Sequence, residues 1–446
     1  MVLALALVLV LGACAPQKVA KDRPESQPPP VDRGPSVSTE STLPPTRSEP
    51  EQPPPPGGDL TEPDAEAKVA LLLPLSGRHA QVGAAMLNAA QLALFDIPED
   101  RFALIVRDTG GSPQGAQAAT RDALAEGASL ILGPLFATSV RAMASEAQRA
   151  GVNVISFSND NSVAGGGIFV MGLDPQAQVD RVVDYASLQG LRQFAILSPA
   201  TAYGNAVVRS MQGAVLRNGA QLSRAVTYDP AIGDASAEVR SLAEYDRRRQ
   251  ALIAERQRLS GRGDAVSKRA LRDLEGRDTF GPPNFEAVML PAGGRSLLAL
   301  APLLPFYDVD PGEVRFLGTA LWDDSQLGTE PALVGGWFAA PPPHLWEGFR
   351  NRYQQTFGSV PPRIASLAYD ATALASVLAG RAFAERKPAA FDLESVTQPS
   401  GFSGTDGIFR FLPTGQSQRG LAVLEMQRGG FRVRDPAPQT FDQLLF

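Results

Sequence analysis

Short apolar runs that end in a turn and open into a helix constrain this chain more than any other feature. The first, Val69–Leu73, has five apolar residues, too few for an ordinary helix and suited to a strand buried on both faces. Pro74 closes the run, and Ser76 and Gly77 form a loop. Val82, Met86, Ala89, Ala90, Ala93 and Leu94 then recur at the helical period. The theme repeats through strands at Phe102–Val106, Ser129–Leu132 and Val152–Ser156, separated by helices over Gln114–Glu126 and Thr138–Arg149. After Ile168–Met171 it starts again. Strands are expected at Phe194–Leu197, Leu222–Thr227, Ala287–Leu290 and Val314–Leu317, with helices over Gly204–Arg217 and Arg295–Leu304. Such alternation dictates an α/β fold of two Rossmann-like lobes, each with a parallel central sheet and right-handed crossovers. The helix Ile364–Leu378 is expected to return to the first lobe, and strands near Gly407–Phe411 and Leu421–Met426 to close the second. The expected boundaries are 68–173 with 360–402 for lobe 1, and 174–359 with 403–446 for lobe 2.

What precedes the first strand has a different composition. Val2–Leu11 is continuously apolar, long enough for a signal-peptide core and too short to span a bilayer. Leu11-Gly12-Ala13-Cys14 follows, and Cys14 is the single cysteine among 446 residues. Residues 15–67 then hold 14 of the 38 prolines, ten acidic and five basic side chains, and almost nothing large and apolar. A segment of that kind cannot bury enough surface to offset its ordering entropy, so it is expected to be a disordered, Pro-rich tether. Its 53 residues would reach about 160 Å as a polyproline helix and about 40 Å as a flexible coil.

A formal charge of -6 gives no general pull toward nucleic acid. One cysteine excludes an internal disulfide, and two histidines, His79 and His344, leave little material for His-based catalysis or metal binding. No G-x-S-x-G elbow, Walker lysine or H-E-x-x-H motif is present, so neither an enzyme nor a cofactor or metal site is expected. In a doubly wound sheet, ligands sit at the carboxyl ends of the strands. The candidate cleft residues are therefore Ser76 and Gly77 after the first strand, Thr138 and Ser139 at a helix N-terminus, Ser158 after the fourth strand, and Tyr203 in the second lobe. The bland alternative makes Thr138 and Ser139 helix caps and Tyr203 a packing residue. Trp322-Asp323-Asp324 follows a strand further on.

The second lobe is interrupted between Ala235 and Pro283. Val239, Leu242, Tyr245, Leu252 and Leu259 recur near a 3.5 spacing, Ser260-Gly261-Arg262-Gly263 breaks the pattern, and Val266, Leu271 and Leu274 resume it. That is a helical hairpin. From 235 to 278 it carries eleven Lys or Arg against eight Asp or Glu. Arg247, Arg248 and Arg249 form its candidate partner-binding patch, the alternative being a solvated helix pair with i,i+4 charge pairs.

These stretches together resemble a known family. V-A-L-L-L-P-L-S-G-R-H-A-Q-V-G (69–83), L-I-L-G-P-L (130–135), T-A-Y-G (201–204) and Ala368-Tyr369-Asp370-Ala371 look like the type I periplasmic binding protein fold of the leucine-binding kind. In that family Ser76, Thr138, Ser139, Ser158 and Tyr203 fall where an amino acid is held. The cysteine motif resembles the bacterial lipobox, which implies a lipid anchor at Cys14, and Ala15 after it implies the outer membrane. More narrowly, the lipobox, the helical insertion and A-G-G-R-S-L-L-A-L-A-P-L-L-P-F-Y-D (292–308) are similar to the penicillin-binding protein activators of the LpoA type. Longer activators of that type carry a helical-repeat domain where this chain has its tether. The resemblance implies an outer-membrane lipoprotein facing the periplasm. Such a protein would stimulate a class A penicillin-binding protein, the peptidoglycan synthase, by contact. The alternative is a periplasmic receptor for an amino acid or similar small polar ligand.

Overall fold

The structure is a computed structural model that describes residues 66–387 and 390–444. The signal segment, Cys14 and the tether as far as residue 65 lie outside the described residues. The tether's expected end moves, because Ala67 already pairs with Phe102 in the first strand.

The chain alternates as its pattern requires. Strand β1 (Ala67–Leu73) leads through a short 3-10 turn to helix α1 (Ala80–Asp96). Then come β2 (Phe102–Asp108), α2 (Pro113–Ala125), β3 (Leu130–Leu132), α3 (Ala137–Ala150), β4 (Asn153–Ser156) and β5 (Ile168–Val170). These five strands make a wholly parallel sheet in the order β2-β1-β3-β4-β5. Residues 69–73 are fully buried because helices cover both faces. Met86, Ala89 and Ala90 pack on one side of the sheet, and Ala119, Val140 and Met143 on the other.

Helix α4 (Pro175–Leu188), which the periodicity did not single out, opens the second lobe. It is followed by β6 (Gln193–Pro199), α5 (Ala202–Arg217) and β7 (Gln221–Tyr228). The insertion contains α6 (Ser236–Leu242), α7 (Tyr245–Ser260) and α8 (Ala265–Asp273). Then come β8 (Ala287–Met289), α9 (Gly294–Leu300), α10 (Leu303–Phe306), β9 (Arg315–Gly318) and β10 (Trp337–Ala340). After α11 (Pro343–Phe357) and the long α12 (Ala365–Glu385) the chain forms the short α13 (Leu393–Val396). It ends with β11 (Phe402–Gly404), β12 (Gly407–Phe411), β13 (Ser417–Arg419), β14 (Ala422–Gln427) and β15 (Gly430–Asp435). The second sheet runs β15-β14-β10-β9-β8-β6-β7, parallel from β10 to β7, with β14 and β15 added antiparallel at one edge. No helix of the described residues is long and apolar enough to cross a membrane.

Two expected boundaries are corrected. Strand β12 joins β11 and β13 in a separate antiparallel sheet rather than the second lobe's, and its Phe409 and Phe411 enter the first lobe's core. Helix α11, expected with lobe 2, also packs there. Its Phe349 and Tyr353 lie in that core, and Tyr353 accepts a hydrogen bond from Asn88 Nδ2 of α1 at 3.2 Å. The physical reason is area. Helices α1 and α12 present more apolar surface than each other can cover, and the aromatic stripe of α11 with the faces of β12 completes the burial.

One packing device recurs. The first turns of α1, α2 and α5 each carry a glycine that lies against the strand end before it. A Cβ on Gly83 would sit 2.1 Å from Pro74 O, on Gly115 2.1 Å from Thr109 O, and on Gly204 2.0 Å from Pro199 O. Glycine thus lets each helix start directly over the loop that a ligand would meet.

Candidate functional site

A cleft of about 870 Å³ opens where the carboxyl ends of the first sheet face helices α4 and α5. Its walls include Phe136 and Ala137 at the start of α3, the loop 158–162 after β4, Asp174 and Gln176 at the start of α4, and Tyr203 and Arg209 on α5. Of the expected residues, Ser158 and Tyr203 line it, whereas Ser76, Gly77, Thr138 and Ser139 do not.

Each has a local reason. Ser76 and Gly77 belong to a turn organised by the Asp108 carboxylate, whose Oδ1 accepts from Leu75 N at 2.8 Å, Gly110 N at 2.7 Å and Ser76 N at 3.2 Å. Slight burial pushes Asp108 upward, but hydrogen bonds from the Ser76 side chain and these backbone N–H groups outweigh it and hold the carboxyl below its usual range. Helix α3 begins at Ala137 after Phe136, which makes no side-chain cap, so neither Thr138 nor Ser139 is the N-cap. Thr138 is exposed, whereas Ser139 is buried with its Oγ unpartnered. Ser158 is buried at the end of β4, where its Oγ accepts from Asp160 N at 3.1 Å and shapes the loop. The Tyr203 hydroxyl donates to Thr319 Oγ1 at 2.9 Å, and burial pushes it up to about 12.

Asp160, Asn161, Asp174, Gln176 and Arg209 were not marked by any motif. Both carboxylates are already engaged. Asp160 accepts from Ser162 N at 3.0 Å and pairs with Arg141 at 2.7 Å, while Asp174 caps α4 by accepting from Gln176 N at 3.0 Å. Burial raises Asp174 above the ordinary carboxylate value despite that cap. Arg209 is exposed and makes no hydrogen bond or ion pair with the described residues. Asn161 keeps a buried Oδ1 without a partner. Among the described residues, the cleft therefore offers the unpaired Arg209 guanidinium, the Asn161 amide oxygen and hydroxyls, a set that suits a polar or anionic ligand held without covalent chemistry. No periodicity marked Arg209: six residues after Tyr203, it lies about 120° around α5 from it, and only the folded cleft brings both to one wall.

Asp323, in the lobe-2 loop after β9, is tied to the first lobe. Arg363, just before α12, donates to Asp323 Oδ2 at 2.7 Å and to Asp406 Oδ1 at 2.5 Å, and Ser366 Oγ donates to Asp406 Oδ2 at 2.6 Å. Asp323 was in the expected loop, but its partner lies 40 residues away and no local pattern could show it.

The insertion is helical as expected, with Leu252 and Leu259 buried, but the helix expected over Val239–Leu259 breaks at Glu244, whose backbone is left-handed, so α6 and α7 precede α8. The arginine patch is corrected. Arg248 is only 5% exposed and is taken up inside the protein. Its guanidinium donates to Gly281 O at 2.7 and 3.0 Å, to Asp308 O at 3.1 Å twice, and to Ala243 O at 3.3 Å. Three successive arginines cannot share one face of a helix, because neighbours differ by about 100° in direction. Arg247 and Arg249 stay on the surface, and Arg247 pairs with Glu244 at 2.5 Å.

Residues 66–430 match the family profile described as "Periplasmic binding protein". A curated relative, an uncharacterized protein of Rickettsia prowazekii (strain Madrid E), is 26% identical over 164 residues. That alignment covers 37% of this chain and 44% of the relative, so the chain spans less than half of the relative's length. Among solved structures, a branched-chain amino acid ABC transporter periplasmic ligand-binding protein from Burkholderia xenovorans LB400 superposes with a TM-score of 0.62 at 13% identity, over 82% of this chain and 94% of that one. A branched-chain amino acid transporter substrate-binding protein from Streptococcus pneumoniae, in complex with isoleucine, gives 0.57 at 16% identity, over 84% and 100%. An ABC-transporter solute-binding protein from Rhodopseudomonas palustris BisB5, in complex with 3,4-dihydroxybenzoic acid, gives 0.58 at 16% identity, over 84% and 99%. At these identities the likeness is one of fold.

Proposed function

The chain belongs to the periplasmic binding protein family, and from that premise we propose that it acts in the periplasm by binding, not catalysis, its partner being a class A penicillin-binding protein that it stimulates by contact. The observation that carries this reading is the insertion. Helices α7 and α8 add nothing to either sheet, yet Arg248 is spent on fixing them to the body. Burying a guanidinium is costly unless it is fully hydrogen-bonded, so the appendage is held in a defined pose, as a docking element requires. On its surface Arg247 and Arg249 are exposed near the start of α7, and Val266, 78% exposed, lies at the start of α8. Exposed basic groups on a chain of net negative charge suit an acidic protein surface.

An activator must bind the active state of its synthase more tightly than the inactive one. The test is glycan polymerisation and cross-linking by the purified synthase with and without this protein. Wild type should stimulate, and Arg247→Glu with Arg249→Glu should lose most of the effect while Arg248 keeps the insertion folded. Absence of stimulation by wild type refutes the activator. Anchoring through a lipid on Cys14 at the outer membrane belongs to the same proposal. Cys14→Ser should release the protein to the soluble periplasmic fraction, and continued sedimentation with outer membrane overturns it.

Arg209 and the unpartnered Asn161 Oδ1 favour a second reading, a receptor for a small polar ligand in the cleft, as in the solved neighbours with isoleucine or 3,4-dihydroxybenzoic acid. A ligand at a hundredfold excess over its Kd should add about 2.7 kcal/mol of stability. A thermal-shift screen of amino acids and aromatic acids with no response beyond that of Arg209→Glu rejects this reading.

A further inference from the structure

On the first lobe, a second hollow of about 760 Å³ follows helix α12 between α11 and the strand β11. Positions 370, 373, 374, 377 and 381 of α12 face it, spaced as one side of a helix. Its walls are apolar, with Phe349 and Leu345 from α11, Leu374 and Val377 from α12, and Phe402 from β11. One end is a carboxyl group. Asp370 is 2% exposed; its Oδ1 accepts from Thr405 N at 2.7 Å and Thr405 Oγ at 3.0 Å, and its Oδ2 has no partner. A Cβ on Gly404 would lie 2.4 Å from that Oδ2, so the glycine leaves the carboxyl its place. The rim carries two arginines. Arg352, which pairs with Asp96 at 3.4 Å and donates to Tyr369 Oη at 3.3 Å, and Arg381, which donates to Gln398 Oε1 at 3.0 Å and has no ion pair among the described residues, both line the hollow.

We propose that this hollow is a binding site, separate from the cleft, for an aliphatic amino carboxylate whose ammonium reaches Asp370 Oδ2 and whose carboxylate stays among the rim arginines. A buried carboxylate oxygen without a donor is costly, and an ammonium both supplies the donor and cancels the charge. The methylene chain would replace water against Phe349, Leu374 and Val377. From Asp370 to Arg381 is about 16 Å along the helix, part of which the arginine side chain spans, so a chain of a few methylenes fits.

The groups facing Asp370 decide its response to pH. Asp406 repels it, Arg419 of β13 attracts it without reaching ion-pair distance, and Arg363 is committed to Asp406 and Asp323. Burial first, and Asp406 second, push Asp370 up to about 7. The ionised fraction then rises from about one tenth at pH 6 to about nine tenths at pH 8. Ammonium binding should strengthen about tenfold over that range.

The experiment is isothermal titration of the whole chain with 6-aminohexanoate, hexylamine and hexanoate at pH 6, 7 and 8. Expected are binding of 6-aminohexanoate that tightens with pH, weaker binding of hexylamine, and none of hexanoate. Asp370→Asn keeps the Thr405 bonds and should lower affinity at least tenfold with no remaining pH dependence. Val377→Trp, which fills the groove without touching a charge, should abolish binding. No heat with 6-aminohexanoate at millimolar concentration, or binding kept in both variants, overturns the proposal. Neither result bears on stimulation of a synthase.

Discussion

Replacing Arg248 by Ala tests whether the insertion is held by one buried cation. The guanidinium serves three carbonyl oxygens, those of Gly281, Asp308 and Ala243, which come from either end of the insertion and from the loop after α10. Its ion pair with the Asp308 carboxylate is long, 3.5 Å, and that carboxylate is 45% exposed, so solvent screening leaves it a minor contribution. The loss is therefore the bonds to three carbonyls, at about 1 kcal/mol net each, plus about 1 kcal/mol of the arginine stem's packing, or about 4 kcal/mol together. Because the bonds tie α7 to residues 281 and 308, the loss should fall on the insertion before the sheets. Local opening that is about 4 kcal/mol easier means amide exchange about a thousandfold faster. Hydrogen exchange read by mass spectrometry over 245–281 is the assay. Peptides from β1 and β6 should stay as protected as in wild type, and Arg247→Ala, which removes a side chain that is 70% exposed and screened by solvent, should change exchange by less than tenfold. Exchange of 245–281 in Arg248→Ala within threefold of wild type would refute the anchoring argument.

Two further outcomes follow from single sites. Asp370 is raised in the folded state to about 7 from an ordinary 3.8, so between those values the folded protein holds a proton the unfolded chain releases. Stability should fall as pH rises from about 4 to about 7, by up to the order of 4 kcal/mol, and Asp370→Asn should flatten denaturation midpoints over that window; identical pH profiles would contradict it. Gly204→Ala puts a Cβ 2.0 Å from Pro199 O and should cost about 3 kcal/mol in denaturation midpoint, whereas Ala206→Ser two residues on should cost under 1.

What the sequence by itself determined was periodic. Short apolar runs bounded by turn residues read as strands, and the 3.6-period stretches between them as the covering helices; β1 to β9 lie where those runs are, although β7, interrupted by Ser223, Arg224 and Thr227, is a partly covered edge strand. The hairpin α7–α8 and the loops at the strand ends were legible for the same reason. The tertiary structure decided what depends on distant partners. Phe349, Phe409 and Phe411 are apolar in any reading, but only the shortage of cover over α1 and α12 sends them to the first lobe. Ser76 and Thr138 sit at strand ends as expected, yet the turn around Asp108 and the start of α3 at Ala137 hold them off the cleft's lining. Arg248 looked like its two neighbours on paper. Helical geometry turned it inward, and carbonyls up to 60 residues away gave it partners, an arrangement that exists only once the chain has folded.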